Sequence, residues 1–253
     1  MKLNLNADLG ESFGPWPMGD DENLLDIVDS ANVACGFHAG DPSVMSRTVA
    51  RAHDRGVGIG AHPGYPDLQG FGRREMRLGA DELSASVQYQ IGALEALCRV
   101  HGATLVHVKP HGALNNMACE DRTLADVLVR AIAAVAPDAT LLAPALSELA
   151  FAGEAAGLSV ALELFADRAY TASGTLVPRR EPGAVLEGSE ACLAHVRAMI
   201  AAGGIVTREG DVLPTAFHSV CVHGDGSRAT ETARALRDAL LADGHTLRPL
   251  GSV

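Results

Sequence analysis

Polar and apolar residues alternate from Lys2 to Leu9 (Lys-Leu-Asn-Leu-Asn-Ala-Asp-Leu), the period of two that marks a β-strand. Short apolar runs at 31–37, 57–61, 104–108, 140–143, 159–165 and 216–222 read as further strands, buried on both faces. Between them the period changes to that of a helix. Leu83, Val87, Ile91, Leu94 and Cys98 recur every three or four residues behind Asp81, and Leu124, Val127, Leu128, Ala131, Ile132 and Val135 do the same. Helices are also expected over 43–55, capped by Asp41 and opened by Pro42, over 147–156, over 189–200 behind Ser189, and over 227–242. Residues 205–213, turning at Glu209-Gly210, read as an inserted hairpin, and 246–250 as a segment that could close the sheet.

Strand and helix therefore alternate about seven times, which predicts an α/β protein with a parallel sheet. A closed (βα)7 or eight-stranded barrel is the first choice and an open doubly wound sheet the second. No linker, low-complexity run or internal repeat divides the chain, so residues 1–253 are read as one barrel domain. The turn-rich stretch 63–77 is too long for a simple connection and is expected to serve function; a second long loop runs after Tyr170 through 177–180 to Gly188, and 10–21, with Pro15, Pro17 and three glycines, is not helical.

Composition narrows the partners. With 20 Lys and Arg against 31 Asp and Glu, the formal net charge of −11 disfavours nucleic acid and anionic membranes, both of which require a basic face. Five cysteines without a Cys-x-x-Cys pair indicate reduced thiols rather than a disulfide framework, and no apolar run approaches a membrane span. A cytoplasmic protein acting on a small molecule is expected; homo-oligomerisation stays open.

The candidate chemistry lies at the carboxyl ends of the strands, where a rigid sheet aims side chains from variable loops. Asp8 and Glu11 follow the first strand, His38 the second, His62 the third, Lys109, His111 and Asn115 the fourth, Asp167 and Arg168 a later one, and His223 and Asp225 the last long one. Asp41 is explained as a helix cap, and His53, His101, His195 and His245 fall on helices or their ends and are set aside. A single strand-end histidine is ordinarily structural, but four on one rim favour a site. Asp8, His38 and His62 are candidate metal ligands, and the same groups can do acid and base work without metal. Both chemistries stay open, because no His-x-x-x-His or His-Glu-x-x-His places two ligands on one helix. Lys109, held extended by Pro110, is a candidate for a carboxylate or oxyanion, and His223-Gly224-Asp225-Gly226-Ser227 before a helix is a candidate anion cradle. No Walker or dinucleotide fingerprint is present.

Six segments carry a resemblance: Asn6-Ala-Asp-Leu-Gly-Glu-Ser-Phe-Gly, Ser30-Ala-Asn-Val-Ala-Cys-Gly-Phe-His-Ala-Gly-Asp, Gly60-Ala-His-Pro-Gly-Tyr-Pro-Asp, Val108-Lys-Pro-His-Gly-Ala-Leu-Asn, Phe165-Ala-Asp-Arg-Ala-Tyr and Cys221-Val-His-Gly-Asp. Together, in this order, they resemble the LamB/YcsF family of 5-oxoprolinase A subunits. The resemblance implies a distorted (βα)7 TIM-like barrel of the glycoside hydrolase and deacetylase type. It also implies one component of an ATP-hydrolysing enzyme that opens 5-oxo-L-proline to L-glutamate, working with subunits B and C and Mg-ATP. In that scheme Asp8 or His62 activates water, with His38 beside them. Lys109 and His111, or Arg168, hold the substrate carboxylate or oxyanion. Glu11, Asn115, His223, Gly224 and Asp225 bind substrate, and the 224–227 turn receives phosphate. The alternatives are a stand-alone metal-dependent deacetylase or amidohydrolase and a non-catalytic binding component.

Overall fold

A computed structural model describes residues 1–222 and 228–251. Seven parallel strands form the frame: β1 (Lys2–Leu9), β2 (Ser30–Ala34), β3 (Gly58–His62), β4 (Leu105–Val108), β5 (Thr140–Pro144), β6 (Val160–Phe165) and, after the antiparallel hairpin β7 (Gly204–Val206) and β8 (Val212–Pro214), β9 (Ser219–Val222). Each pairs with the next, and β9 pairs with both β6 and β1, so the sheet closes into a seven-stranded barrel. That closure excludes the open doubly wound sheet. The expected closing segment does something else. β10 (Thr246–Leu247) pairs only with Lys2 and Leu3, and the tail that follows crosses the amino-terminal end of the barrel.

Helices α1 (Asp21–Leu25), α2 (Pro42–Asp54), α3 (Ala80–Val100), α4 (Gly112–Glu120), α5 (Arg122–Val135), α6 (Glu148–Ala155), α7 (Ser189–Ala202) and α8 (Ala229–Ala242) pack outside the strands. Asp41 caps α2 as expected, its Oδ1 accepting from the amides of Ser43 and Val44 at 2.8 and 3.0 Å, with Pro42 opening the helix. Asp81 does not cap α3; Gly79 holds that position and Asp81 lies within the first turn. Residues 112–116 begin α4, because Leu114 and Ala118 gain core burial that outweighs the turn preference of Asn115 and Asn116. Among the described residues no helix is long and apolar enough to cross a membrane.

The alternation in β1 has an unusual outcome. Leu3, Leu5, Ala7 and Leu9 face outward into the core shared with the helices, while Asn4, Asn6 and Asp8 face the barrel lumen. The lumen is therefore polar, and every buried amide in it needs a partner, since an unpaired one costs about 1–3 kcal/mol.

Candidate functional site

Along the lumen, polar side chains pair in succession. Asn6 Nδ2 donates to Glu163 Oε1 at 2.8 Å and to Ser219 Oγ at 2.7 Å, and Asn32 Nδ2 donates to Asn6 Oδ1 and Asp8 Oδ1 at 2.7 and 2.8 Å. His107 Nε2 donates to Asn32 Oδ1 at 2.7 Å. Gly60 makes room for that imidazole, since a Cβ there would lie 2.1 Å from His107 Nε2. The column ends in an ionic knot, where Lys109 Nζ lies 3.0 Å from Asp8 Oδ1, 3.2 Å from Glu163 Oε1, 3.3 Å from Asn6 Oδ1 and 3.0 Å from Cys221 Sγ.

Lys109 is buried, with 3% of its surface exposed at the cavity floor. Burial by itself lowers the pKa of its ammonium, but Asp8, Cys221 and Glu163 more than reverse this and hold it well above the ordinary lysine value. Burial pushes Glu163 up against the pull of Lys109, and pushes the Cys221 thiol well above its ordinary value. Three ammonium protons facing this many acceptors within the protein leave Lys109 directed at Asp8 and Glu163 rather than at the open cavity. It fixes Asp8.

Three imidazoles stand beside Asp8. His62, at the end of β3, points Nδ1 at the carbonyl of Lys109 (2.6 Å) and Nε2 at Asp8 Oδ2 (3.4 Å). His111, just before α4, points Nε2 at the carbonyl of Phe71 (2.8 Å) and Nδ1 at His62 Nε2 (3.0 Å). His38 stacks on His111 with ring centroids 3.7 Å apart and lies 3.7 Å from Glu11 Oε1 through Nε2. Burial, then the neighbouring imidazoles, holds His38 and His111 well below the ordinary histidine value. The packing depends on Gly72. It has φ +62° and no Cβ, which would come within 2.7 Å of His38 Cβ and 2.8 Å of His111 Cδ2. Phe71 is left-handed as well, at φ 54°, a strained backbone conformation that turns its carbonyl to His111.

Above this floor opens a cavity of 560 Å³. Asp8, Glu11, His62, Lys109, His111 and Asn115 reach its surface from the barrel, and Arg73, Arg168, Arg179 and Arg180 from the long loops. The structure thus brings together Asp8, Glu11, His62, Lys109, His111, Asn115 and Arg168. His38 lies behind His111 and is fully buried. Arg168 spends part of its guanidinium on loop backbone, Nη2 donating to Val177 O at 2.6 Å, and burial, then Arg179, lowers it to about 10. His223, Gly224 and Asp225, expected to form an anion cradle with Gly226 and Ser227, lie outside the described residues.

Of the histidines set aside, His101 pairs with Ser46, His195 with the carbonyl of Arg168 and His245 with the amino terminus, and none of these, nor His53, lines the cavity. Sequence reasoning missed Asn6, Asn32, His107, Glu163 and Cys221. The signal was available for some: Glu163 and His107 are single ionisable residues within otherwise apolar strands.

Known proteins share both the motifs and the barrel. The profile of the LamB/YcsF family matches residues 3–253. The chain is 58% identical over 247 residues to a 5-oxoprolinase A subunit of Azoarcus sp. (strain BH72), covering 98% of this chain and 96% of that one. It is 48% identical to a 5-oxoprolinase A subunit of Bacillus subtilis (strain 168), with 96% and 95% covered. The solved lactam utilization protein of Thermus thermophilus superposes with a TM-score of 0.92 at 42% identity, covering 98% and 99% of the two chains. A peptidoglycan N-acetylglucosamine deacetylase domain of Eubacterium rectale, at TM-score 0.50 and 13% identity with 98% and 87% covered, shares the fold alone. With its motifs in order along a closed seven-stranded barrel, and a family match that spans all but its first two residues, this chain belongs to the LamB/YcsF family.

Proposed function

We propose that this chain is the ring-opening A component of an ATP-dependent 5-oxoprolinase, a hydrolase that acts on a cyclic amide. It works as one barrel domain in the cytoplasm with subunits B and C, which use Mg-ATP. A five-membered lactam is a resonance-stabilised amide and a poor electrophile. Transfer of a phosphoryl group to its carbonyl oxygen by the partners leaves ADP and an activated C5. Water oxygen then bonds to C5, the C5–N1 bond breaks with protonation of the nitrogen, and a second water releases phosphate from the resulting acyl phosphate to give L-glutamate.

The observation that carries this reading is Asp8 at the cavity floor, with one oxygen held by Lys109 and Asn32 and the other turned toward His62. A carboxylate fixed in this way is set up to take the proton of the attacking water, and His111 and Asn115 line the space where the substrate sits. In a chain of net charge −11, four arginines gather on the wall of this cavity. Arg73, Arg179 and Arg180 receive the phosphoryl group, and Arg168 orders the loop that carries two of them.

The test is to combine the chain with 5-oxo-L-proline and Mg-ATP, with and without the partner subunits, and to follow glutamate and ADP together. Glutamate formed only by the full combination supports the reading. No glutamate in any combination overturns it and redirects attention to a stand-alone amidohydrolase or deacetylase.

A further inference from the structure

We infer that the floor of the cavity is a binding site for one divalent transition-metal ion, held by His62 Nε2 and His111 Nδ1 and completed by Glu11 and His38. The argument begins with hydrogen positions. A backbone carbonyl only accepts, so the nitrogen facing it carries the proton. His62 Nδ1 faces the carbonyl of Lys109 at 2.6 Å, and His111 Nε2 faces that of Phe71 at 2.8 Å. In the neutral rings the remaining nitrogens, His62 Nε2 and His111 Nδ1, are lone pairs, and they meet at 3.0 Å. Two lone pairs at that separation repel unless a cation or a proton lies between them.

Three further observations favour a metal ion over a proton. Among the described residues the fully buried His38 has no hydrogen-bond partner on either ring nitrogen, a costly arrangement for a purely structural residue. The ligand atoms of Glu11, His38, His62 and His111 lie within 4.8 Å of one another. Two ligands each about 2.1 Å from one ion stand roughly 3.0–3.4 Å apart, so the His62 and His111 pair is already at chelating distance and the other two close in by about 1 Å. Finally, two buried carboxyl groups, Asp8 and Glu163, share the ammonium of Lys109, and a third, Glu11, lies 3.7 Å from His38 Nε2, a position that suits a carboxylate ligand.

Both histidines are locked through their outer nitrogens to backbone carbonyls, the arrangement by which proteins fix the tautomer and aim of a metal-binding imidazole. Imidazoles with one carboxylate select a zinc- or cobalt-like ion over magnesium, so this ion is distinct from the Mg of Mg-ATP. It supplies Lewis acidity beside Asp8, and His62 serves it as ligand while Asp8 remains the base.

The experiment uses the full chain, stripped with a chelator, dialysed and titrated with Co²⁺ while visible d–d absorption and heat are followed. One saturable site per chain, emptied by Zn²⁺ and weakened about tenfold or more in both His62→Gln and His111→Gln, is expected. The surface variant His101→Gln binds as the native chain does. Absence of saturable uptake, or uptake unchanged in both glutamine variants with native circular dichroism, overturns the site. Should either variant fail to fold, crystals of the native chain grown with Zn²⁺ decide: an anomalous peak between His62 Nε2 and His111 Nδ1 supports the site, and its absence overturns it. No 5-oxoproline enters these measurements, so their failure and that of the enzyme assay are separate results.

Discussion

At the amino-terminal end of the barrel, Asn4 Nδ2 donates to Ser30 Oγ at 2.9 Å and to the carbonyl of Arg248 at 2.8 Å, Ser219 Oγ donates to Asn4 Oδ1 at 2.7 Å, and Ser30 Oγ also accepts from the amide of Leu250 at 3.1 Å. The tail then seats Leu250 on Leu142, Ala161 and Val106. At the carboxyl end most of the polar groups are ionisable, and among the described residues His38, Asn115 Oδ1 and Glu163 Oε2 have buried atoms with no hydrogen-bond partner. Inside the barrel, the polar groups of the amino-terminal end, Asn4, Ser30 and Ser219, are neutral, paired and covered by the tail. The other keeps bonding capacity and opens to a cavity. Polar groups are buried at both ends, so burial alone does not tell a structural polar residue from a working one; incomplete pairing, found from His107 Nδ1 onward toward the cavity, is what separates the two halves of the lumen among the described residues.

This contrast can be broken by experiment. The largest effect is expected for Asp8→Asn, which keeps the shape and removes the base: glutamate formation with the partner subunits falls by about 10²- to 10⁴-fold while the urea midpoint stays near native. Near-normal turnover would remove Asp8 from the mechanism. Next, Lys109→Met leaves Asp8 and Glu163 without their shared counter-charge, and stability falls by about 3–5 kcal/mol in urea titration. A smaller loss would mean that the knot is better solvated than its burial indicates.

Midway along the lumen, burial and then the charge of Lys109 lower His107 from 6.5 to about 3. Between those values the unfolded chain binds a proton that the folded chain does not. The stability contribution is therefore complete above pH 6.5 and is lost as pH falls, by about 1.4 kcal/mol per unit. Urea midpoints at pH 7 and pH 5 should diverge less in His107→Gln than in the native chain; equal divergence would refute the assignment. The smallest effect is expected at the plugged end. Leu250→Ala costs about 2 kcal/mol of stability, the lower end for a buried leucine, and leaves kcat/KM for glutamate formation unchanged. A loss of activity there would show that the two ends are coupled.

Much of the fold was legible because its local signals agree. The period-two stretch 2–9, the Asp41-Pro42 helix start, the spacing from Leu83 to Cys98 and the 205–213 hairpin all recur in the structure. The strand-end rule also gathered Asp8, Glu11, His62, Lys109, His111, Asn115 and Arg168 onto one cavity. It erred over direction and pairing. Position at a strand end does not say that His38 turns behind His111, that Lys109 faces inward to two carboxyl groups, or that the 246–250 segment plugs the barrel instead of closing it.

Periodicity, caps and chain order are properties of neighbours along the chain, so the sequence by itself determined the strands, most helices, their alternation and the set of polar residues delivered to one rim. Which partner each polar group meets depends on ring closure. Closure of the ring through the β1–β9 pairing brings Asn6 and Asp8 opposite Glu163, Lys109 and Cys221, residues 101 to 215 positions away from their partners on β1. The tertiary structure therefore decided the ionic knot, the facing lone pairs of His62 and His111 and the contrast between the two ends, because charge, tautomer and hydrogen-bond saturation are set by atoms a few ångströms apart in space and far apart in sequence.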